Sequence, residues 1–599
     1  MDIRFFNQIV NMRLHKIFAI LAPLTLGGVG LFVSCSDWDD HFDADTSVTD
    51  SQRSSILANI QQNADLSQFA DLLEKTGYSS MLDQAQTYTV WAPKNNSFDY
   101  DALMAESDDD VKRQFVENHI ARNNYPASGQ VSERIYMLNK KVMNFSSTAD
   151  GYAMQDVQLQ LPSIGGNNGT IHLLDGKIPY LPNIYESLNN KEFKIDSIAD
   201  YFHAYDTLML DENKSVKGPA VDGMITYLDS IYTERNDLYS FYRAYINRED
   251  SSYSMLVPTN TAWEKAKQRI SPFFQYSSEL RIRNFINNNN SWEKKDTVIK
   301  VADAARLQDS IANTWLLNNL FFNNRLYDNG KLLSLQNGGT LTADSLVTTQ
   351  GWIYSAAASQ QMFAGAQRVD KSNGAIFVVD ELIQPSWIGL CPPIKVEAEN
   401  DYRLVCYENT EENRKPTRQR VTSANQNDLV KGTVSDGYYL NIPPYSNNSD
   451  QKVTFTLPNV RSATYHAYAV VVPKHITDIN HYIPVTDLKP NRLRVYIGYS
   501  NINATSKILE IKEQQMRSVT DKAYFETDPT KIDTLDLGEV TFPMCYSGLG
   551  SYYPFIRIET NSRNTHDRTL RLDCIMLVPK DLMDFMGGEL DDKILRKLW

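Results

Sequence analysis

The chain lacks the signatures of the common enzyme classes. It contains no G-x-S-x-G elbow, no H-E-x-x-H pair and neither of the glycine-rich loops that bind nucleotides. Its nine histidines are scattered, and no two are spaced to share a helix face. We therefore expect no catalytic site. The alternative is a glycoside hydrolase, because a catalytic carboxylate pair has no fixed spacing in sequence.

Basic blocks and long apolar runs are also missing. The formal net charge is −14 and no strongly basic segment occurs, so nucleic acid is not an expected partner. After residue 33 no apolar run is long enough to cross a membrane. With 599 residues, the chain is long enough for three or four domains.

Cysteine is scarce, with five residues in the whole chain. Four of them lie in the last third, without C-x-x-C spacing: Cys391, Cys406, Cys545 and Cys574. Two disulfides are one interpretation, with three connectivities open. Buried free thiols are the other, because isolated cysteines pack as small apolar residues.

The N-terminus has the pattern of a secretory signal. A basic flank precedes the apolar stretch 17–33, which Pro23 and glycines interrupt, and Cys35 follows. The stretch around Cys35 resembles the lipobox of bacterial lipoproteins. That resemblance implies cleavage after a signal peptide of residues 1–34 and lipidation of Cys35, and thus a membrane anchor. The alternative is a cysteine of the signal region that is discarded after cleavage.

An acidic cluster follows the cysteine. Ser36, Asp37, Asp39 and Asp40 resemble the export signal of Bacteroidetes surface lipoproteins, which implies exposure on the outer face of the outer membrane. The alternative is a solvated acidic linker. In both cases residues 35–52 are polar enough to serve as a tether.

Sequence blocks recur in the same order along the chain. Tyr88–Phe98 (YTVWAPKNNSF) matches Tyr253–Trp263, and Asn168–Asp175 (NGTIHLLD) matches Asn373–Asp380. Upstream, Asp65–Phe69 has an echo at Asp237–Phe241. The repeat predicts two related domains, at 53–184 and, with an insertion, at 185–388. Residues 186–236 between the copies predict two helices that elaborate the second domain.

Each block has a structural interpretation. The first predicts an amphipathic helix with one apolar face: Ile56, Ile60, Leu66, Phe69, Leu72 and Leu73. The second block predicts a buried strand that ends at Pro93 in the first copy and at Pro258 in the second. The next turn or helix is capped by Asn96-Ser97 or by Asn260-Thr261, and the aromatic ring of Phe98 or Trp263 packs that turn on the core. In the third, Gly169 or Gly374 takes a positive φ, and Asp175 or Asp380 ends the strand.

These motifs are similar to those of the fasciclin (FAS1) family. Asn118-His119 resembles the short Tyr-His segment of the family, and His172 belongs to its second motif, whereas Phe377 replaces that histidine in the second copy. The resemblance implies two α/β (α+β) domains that serve adhesion or ligand binding without catalysis. For His172 we favour a structural, hydrogen-bonded role over a role in recognition.

The last third predicts an all-β sandwich over residues 390–583, with a tail at 584–599, because short β-branched runs alternate with turns. Its first and last strands resemble those of galactose-binding-like jelly rolls, including family 6 carbohydrate-binding modules. That resemblance implies a structural calcium ion held by Glu397, Glu399 and Asp573. Solvated surface charge is the alternative.

Tyrosines take the place of tryptophan in this region. Tyr438, Tyr439, Tyr552 and Tyr553 are candidate platforms for a sugar, and sealing of the sandwich is the alternative.

We expect a non-enzymatic surface lipoprotein that binds a ligand, as an adhesin for host matrix or neighbouring cells. The alternative is an accessory that captures glycan or peptide for a TonB-dependent transporter and its lipoprotein lid.

Overall fold

The computed structural model describes residues 53–587, except 211, 214, 218–224, 226, 230–231, 290 and 562. The predicted signal peptide, Cys35, the predicted export signal at residues 36–40 and most of the predicted tail lie outside this range. Within it, no helix has the length and hydropathy to cross a membrane. Three consecutive units are convenient for description: the first unit (53–178), the second unit (183–388) and the third unit (390–587).

The first unit combines short helices with one sheet. Its helices are α1 (Ile56–Gln62), α2 (Ser67–Lys75), α3 (Ser79–Leu82), α4 (Tyr100–Ala105) and α5 (Asp108–Val111). Its strands are β1 (Tyr88–Pro93), β2 (Ile120–Arg122), β3 (Ser132–Tyr136), β4 (Val142–Thr148), β5 (Gly151–Met154), β6 (Val157–Gly166) and β7 (Gly169–Leu174). The sheet order is β2-β1-β7-β6-β5-β4-β3.

The apolar face predicted near the start of this unit is buried, but it belongs to two helices. Leu66, Phe69 and the other four residues of that face are fully buried in one core cluster. The helix breaks at Asn63, whose Oδ1 accepts a hydrogen bond from the backbone N–H of Asp65 and starts a 3-10 turn. The capping side chain competes with a continuous helix at this point.

The second unit has a smaller central sheet. Its helices are α6 (Ile184–Ser187), α7 (Asp196–His203), α8 (Leu238–Phe241), α9 (Asn260–Ile270), α10 (Ala304–Leu317) and α11 (Ala356–Met362). Its strands are β8 (Asp206–Leu210), β9 (Val216–Lys217), β10 (Tyr227–Asp229), β11 (Tyr232–Asn236), β12 (Tyr253–Pro258), β13 (Glu279–Asn288), β14 (Ser291–Lys300), β15 (Phe321–Asn323), β16 (Ser345–Val347), β17 (Ile353–Ser355), β18 (Gln367–Lys371) and β19 (Gly374–Val379). The central order is β15-β12-β19-β18.

The central strands of the two units pair in the same register. Tyr88 on β1 lies opposite Gly169 on the parallel strand β7, and Tyr253 on β12 lies opposite Gly374 on the parallel strand β19. A short antiparallel strand lies on the other side of the first strand of each pair: β2 beside β1 and β15 beside β12. The sequence repeat is therefore a repeat of strand pairing.

The upstream echo at Asp237–Phe241 is out of register with the structure. Asn95 Oδ1 accepts the backbone N–H of Gln68 at the start of α2, and Asn260 Oδ1 accepts that of Ser197 at the start of α7. The helix that corresponds to α2 is thus α7, not α8. Of the two helices predicted over 186–236, α7 forms, but it ends at His203, and the described residues beyond it include the strands β8, β9, β10 and β11.

The third unit is largely β-structure. Its strands are β20 (Ile394–Glu397), β21 (Leu404–Glu408), β22 (Thr417–Arg420), β23 (Tyr438–Ile442), β24 (Lys452–Thr456), β25 (Thr464–Val471), β26 (Arg492–Ile502), β27 (Leu509–Gln515), β28 (Phe525–Glu526), β29 (Asp533–Thr541), β30 (Phe555–Thr560) and β31 (Leu570–Pro579), followed by helix α12 (Lys580–Phe585). All its strand pairs are antiparallel.

Two six-stranded sheets share the core of this unit. One has the order β22-β23-β31-β25-β29 with β20 beside β31, and the other has β21-β24-β30-β26-β27 with β28 beside β26. Side chains of both sheets, such as Leu572 and Val495, meet in one apolar cluster. The four cysteines of this region are buried free thiols, so the disulfide interpretation is wrong for the described chain.

The insertion in the second unit is a long hairpin, β13–β14, that packs on the third unit. Phe285 lies edge-on to Phe555, with ring centroids 5.3 Å apart, and Trp292 lies edge-on to Tyr407. Arg283 joins the two units by pairing with Asp296 on the hairpin and Glu513 on β27. The hairpin therefore covers part of the outer face of the second sheet.

Candidate functional site

The Asn-Gly motif closes each of the first two units around its central sheet. Asn168 accepts the backbone N–H of Ile56 and donates to the carbonyls of Leu82 and Gln84. Asn373 makes the same set of bonds, accepting from Ile184 and donating to Ile246 and Arg248. Each asparagine side chain therefore links the first helix of its unit to the loop that precedes the first central strand.

The glycine that follows has no room for a side chain. Gly169 and Gly374 adopt φ values of 143° and 139°. A Cβ atom would lie 1.8 Å from the carbonyl oxygen of Tyr88 or Tyr253. The predicted positive φ is confirmed at both positions, and the reason for glycine is this close approach as much as the backbone conformation.

The Asn118-His119 segment holds the chain where it leaves the first sheet. His119 Nε2 accepts the backbone N–H of Ile178 at 2.9 Å, and Asn118 Nδ2 donates to the carbonyl of the same residue. His119 Nδ1 lies 2.7 Å from the carbonyl of Phe115, so the proton is on Nδ1. Burial lowers the pKa of His119 to about 4. This histidine is neutral and structural.

The second unit has a counterpart of Asn118 that the sequence did not reveal. Strand register places Asn319 at the same position, since β15 pairs with β12 as β2 pairs with β1. Asn319 Nδ2 donates to Gln384 Oε1 and to the carbonyl of Ile388, after the last strand. The sequence signal failed because Leu320 stands where His119 stands in the first unit.

His172 is a buried hydrogen-bonded residue, as the structural interpretation requires. Its Nε2 lies 2.7 Å from the carbonyl of Tyr125, and its Nδ1 lies 2.7 Å from Ser163 Oγ. Burial lowers the pKa of His172. With both ring nitrogens engaged and the side chain fully buried, His172 has no free atom for a ligand.

The capping role predicted for the motif after each proline belongs to other residues. The side chain of Asn95, not that of Asn96, accepts the hydrogen bond from α2. Asn96 has a φ of 64°, and its backbone N–H donates to Gln68 Oε1. In the second unit Thr259 caps α9, while Asn260 bonds to α7. Local spacing did not show that the asparagine reaches across to an earlier helix.

The predicted strand ends are found in both units. Pro93 and Pro258 are the last residues of β1 and β12. Phe98 packs on the core of the first unit. Asp175 follows β7 and pairs with Lys94 at 3.1 Å, whereas Asp380 is exposed after β19.

A buried lysine joins the first unit to the second. Lys141 is 2% exposed, and its Nζ lies 2.6 Å from Glu186 Oε2 and 2.7 Å from Glu249 Oε1. Ser372 Oγ lies 3.3 Å from the same nitrogen, and the ring of Tyr180 lies beside it. No sequence signal marks this cluster, because its members are far apart in the chain.

Beside this cluster, a polar cleft of about 490 Å³ lies between the two units. The first unit provides one wall, with Arg134 on β3, Val142 and Asn144 on β4, and Gln155 in the turn after β5. The second unit provides the other wall: Glu249, Ser252, Asn324, Arg325, Leu333 and Ser372. A volume of this size is typical of sites for small ligands. None of these residues was singled out by the sequence.

In the third unit, two of the predicted metal ligands meet. Glu397, Asp573 and Cys574 place ligand atoms within 4.8 Å of one another. Ser435 bridges them, with its N–H shared by both carboxylate oxygens of Asp573 and its Oγ 2.9 Å from Glu397 Oε1. Lys395 Nζ also lies 2.6 Å from Glu397 Oε1, so an ammonium group already compensates part of the charge.

Glu399 lies near this group, and its environment suits a cation. Burial, and the charge of Glu397 in addition, raise the pKa of the Glu399 carboxyl to about 7. Glu397 Oε2 and Glu399 Oε2 are buried without a hydrogen-bond partner among the described residues. Oxygen ligands of this type fit calcium, but Glu399 is not among the residues whose ligand atoms lie within 4.8 Å of one another, so its side chain would have to move to share an ion with Glu397 and Asp573.

The four tyrosines proposed as a sugar platform do not form one surface. Tyr439 is 6% exposed and belongs to a core cluster with Tyr468, so its proposed role in binding is wrong. The guanidinium of Arg418 lies 3.5 Å from the ring centre of Tyr438. Tyr552 and Tyr553 precede β30 in the other sheet, and Arg403 lies over the ring of Tyr553.

Comparison with known proteins identifies one of these units. The model of the fasciclin domain family matches residues 64–178. Residues 64–178 are a fasciclin domain. The Asn-Gly closure and the Asn118-His119 segment described above belong to this fasciclin domain. No curated protein sequence matches the chain.

Solved structures align with longer parts of the chain. The FAS1 domain pair of the insect cell adhesion molecule Fasciclin I is 10% identical over 55% of this chain and 96% of that pair, with a TM-score of 0.18. A family 11 carbohydrate-binding module from Clostridium thermocellum is 11% identical over 31% of this chain and 95% of the module (TM-score 0.16). Paenibacillus xanthan lyase is 13% identical over 35% of this chain and 15% of the enzyme (TM-score 0.18). TM-scores this low carry no argument about fold or function.

Proposed function

We propose that this protein is a non-enzymatic lipoprotein of the cell surface that binds a ligand or partner through fasciclin-like modules, in the manner of an adhesin. The fasciclin domain at 64–178 carries the proposal. The second unit repeats its β1–β7 pairing and its Asn-Gly closure, which supports a second fasciclin-like module.

The third unit supports binding more than catalysis. Its two sheets enclose an apolar core, and Glu397 and Asp573 offer clustered oxygen ligands for a structural cation. The hairpin β13–β14 and Arg283 join this unit to the second module. We propose that the third unit is a carbohydrate-binding-like sandwich that stiffens the assembly.

The anchor belongs to the same proposal. Lipidation of Cys35 and the export signal formed by Ser36, Asp37, Asp39 and Asp40 would place the modules on the outer face of an outer membrane. Metabolic labelling with palmitate should mark the wild-type protein and leave Cys35→Ala unlabelled. Replacing the three aspartates by alanine should leave labelling intact but abolish biotinylation of the protein on intact cells.

An accessory role in nutrient uptake is the second candidate. The polar cleft between the first two units favours it, because a cleft of about 490 Å³ suits a soluble oligomer better than a flat matrix surface.

Native purification in mild detergent separates the two candidates. Co-purification of a TonB-dependent transporter and its lid in stoichiometric amounts supports uptake. Retention of intact cells on matrix proteins, lost when the protein is deleted, supports adhesion. The absence of both, together with turnover of a polysaccharide that one carboxylate replacement removes, would overturn the proposal in favour of a hydrolase.

A further inference from the structure

The cleft between the first and second units has the lining of a binding site for a charged, hydroxyl-rich molecule. Eight of its ten lining residues are polar, and the apolar pair is Val142 and Leu333. No aromatic ring lines it. A ligand that buries large apolar groups would find no partner surface here, whereas hydroxyl groups would find amides and hydroxyls on both walls.

Two arginines give the cleft its charge. Arg134 enters from the first unit and Arg325 from the second, and both are exposed. Among the described residues, neither guanidinium takes part in an ion pair or a side-chain hydrogen bond. The guanidinium fork matches a carboxylate or sulfate group in geometry and charge.

The one acid in the lining does not oppose an anion. Glu249 Oε1 lies 2.7 Å from Lys141 Nζ and 3.1 Å from Asn183 Nδ2. Lys141 is shared with Glu186, which also lies 4.0 Å from Arg113, so the two carboxylates are balanced by two cations. The two arginines are therefore uncompensated cations in a cleft of a chain whose formal net charge is −14. Such a local reversal of sign concentrates anionic ligands at the cleft.

The walls are held in place before any ligand arrives. The Lys141 cluster fixes β4 against Glu186 and Glu249 of the second unit. On the opposite wall, Asn324 accepts from Ser254 Oγ and donates to Ser252 Oγ, which orients the Ser252 hydroxyl in the lining. Preorganised polar groups of this kind reduce the entropy lost on binding.

We propose that this cleft binds an anionic oligosaccharide, with Arg134 and Arg325 holding its carboxylate or sulfate groups and the amide and hydroxyl side chains holding its ring hydroxyls. This inference rests on the proposed binding function and names its site and ligand class.

The test compares three tetrasaccharides of one backbone type by calorimetry with the whole purified chain. The probes are tetragalacturonate, sulfated galactotetraose and neutral galactotetraose. We expect one or both charged probes to bind, with an affinity that falls as salt is raised, and at least tenfold weaker binding of the neutral probe. Arg134→Gln with Arg325→Gln should weaken the charged probes by about tenfold or more, because two charge-assisted contacts are lost.

The matched control is Arg122→Gln with Arg306→Gln. These residues are exposed arginines of the same two units that lie outside the cleft lining. The control should bind like the wild type, and both double variants should keep the wild-type melting temperature.

Three results would overturn the inference: equal binding of neutral and charged probes, equal loss in the control, or binding of an acidic peptide but of none of the saccharides. If cell or matrix binding persists without saccharide binding, the cleft inference fails and the proposed function stands. If every binding activity is absent, both fail.

Discussion

Lys141 Nζ lies 2.7 Å from Glu249 Oε1, across the boundary between the first and second units. The side chains of the two residues are 2% and 8% exposed. A buried charge pair is sensitive to the removal of one partner, because the remaining charge then lies in an environment that water hardly reaches.

The first prediction concerns this pair. Lys141→Met should destabilise the unit boundary by about 3 kcal/mol or more, because it leaves the carboxylates of Glu186 and Glu249 close together without the buried ammonium group that they share. Hydrogen exchange of the amides around Glu249 measures the effect. Lys140→Met is the control, since Lys140 is exposed and adjacent. Adding Glu249→Gln to Lys141→Met should restore part of the loss, and a purely additive cycle would contradict the coupling.

The second prediction concerns pH and His119. Its folded pKa of about 4 is below the ordinary value of 6.5, so the unfolded state binds more protons between these two values. The stability it contributes is complete above pH 6.5 and falls as pH is lowered towards 4. The protection of the Ile178 amide should decrease by roughly 100-fold over this window, after correction for intrinsic exchange.

His119→Gln tests the origin of that pH dependence. Glutamine keeps a donor and an acceptor but does not titrate, so its protection profile should be flat over the same window. His481→Gln, at an exposed ion pair, should keep the wild-type profile. A profile that is unchanged in His119→Gln would show that another group is responsible.

The third prediction concerns the close approach at Gly374. Gly374→Ala should lower the melting temperature of the second unit strongly, because its Cβ would lie 1.8 Å from the carbonyl oxygen of Tyr253. Gly151→Ala is the matched control, because its φ of 129° is close to that of Gly374 and nothing lies within 4 Å of the added atom. It carries the cost of the positive φ without the clash. Equal losses in both variants would mean that conformation alone requires glycine.

The fourth prediction concerns calcium in the third unit. Without the ion, the raised pKa of Glu399 means that stability decreases as pH rises from 4.5 to about 7, because the folded state holds the proton more tightly. Calcium at 100 times its Kd should raise the stability of this unit by about 2.7 kcal/mol. Calorimetry with calcium and with a chelator measures the shift at pH 8.

Glu399→Gln separates the effect of calcium on stability from the effect of protonating Glu399. This variant should be more stable than the wild type at pH 8 in chelator and should gain little from calcium. Glu412→Gln, an exposed residue paired with Arg414, should respond to calcium like the wild type. A calcium response that survives in Glu399→Gln would place the ion elsewhere.

The motifs around Pro93, Asn168 and Gly169 can be predicted from the sequence, because each depends on its neighbours in the chain and occurs twice in the same order. The helix-capping residues cannot be predicted in this way. Asn95 bonds to a helix 27 residues earlier, and that contact leaves no local trace. The echo at Asp237–Phe241 misled for a related reason, because similar short helices recur and only the Asn260–Ser197 bond identifies the corresponding one.

Sequence patterns alone predicted the central strands β1, β7, β12 and β19, the glycine positions and the fasciclin motifs, because these depend on local backbone geometry and on the alternation of apolar residues. Which side chains from distant segments meet depends on the folded packing. Lys141 lies against Glu186 and Glu249, Arg134 and Arg325 line one cleft, Tyr439 lies in a core, and the hairpin β13–β14 packs on the third unit. These contacts depend on how the units pack, and one sequence contains no periodic signal for packing between units.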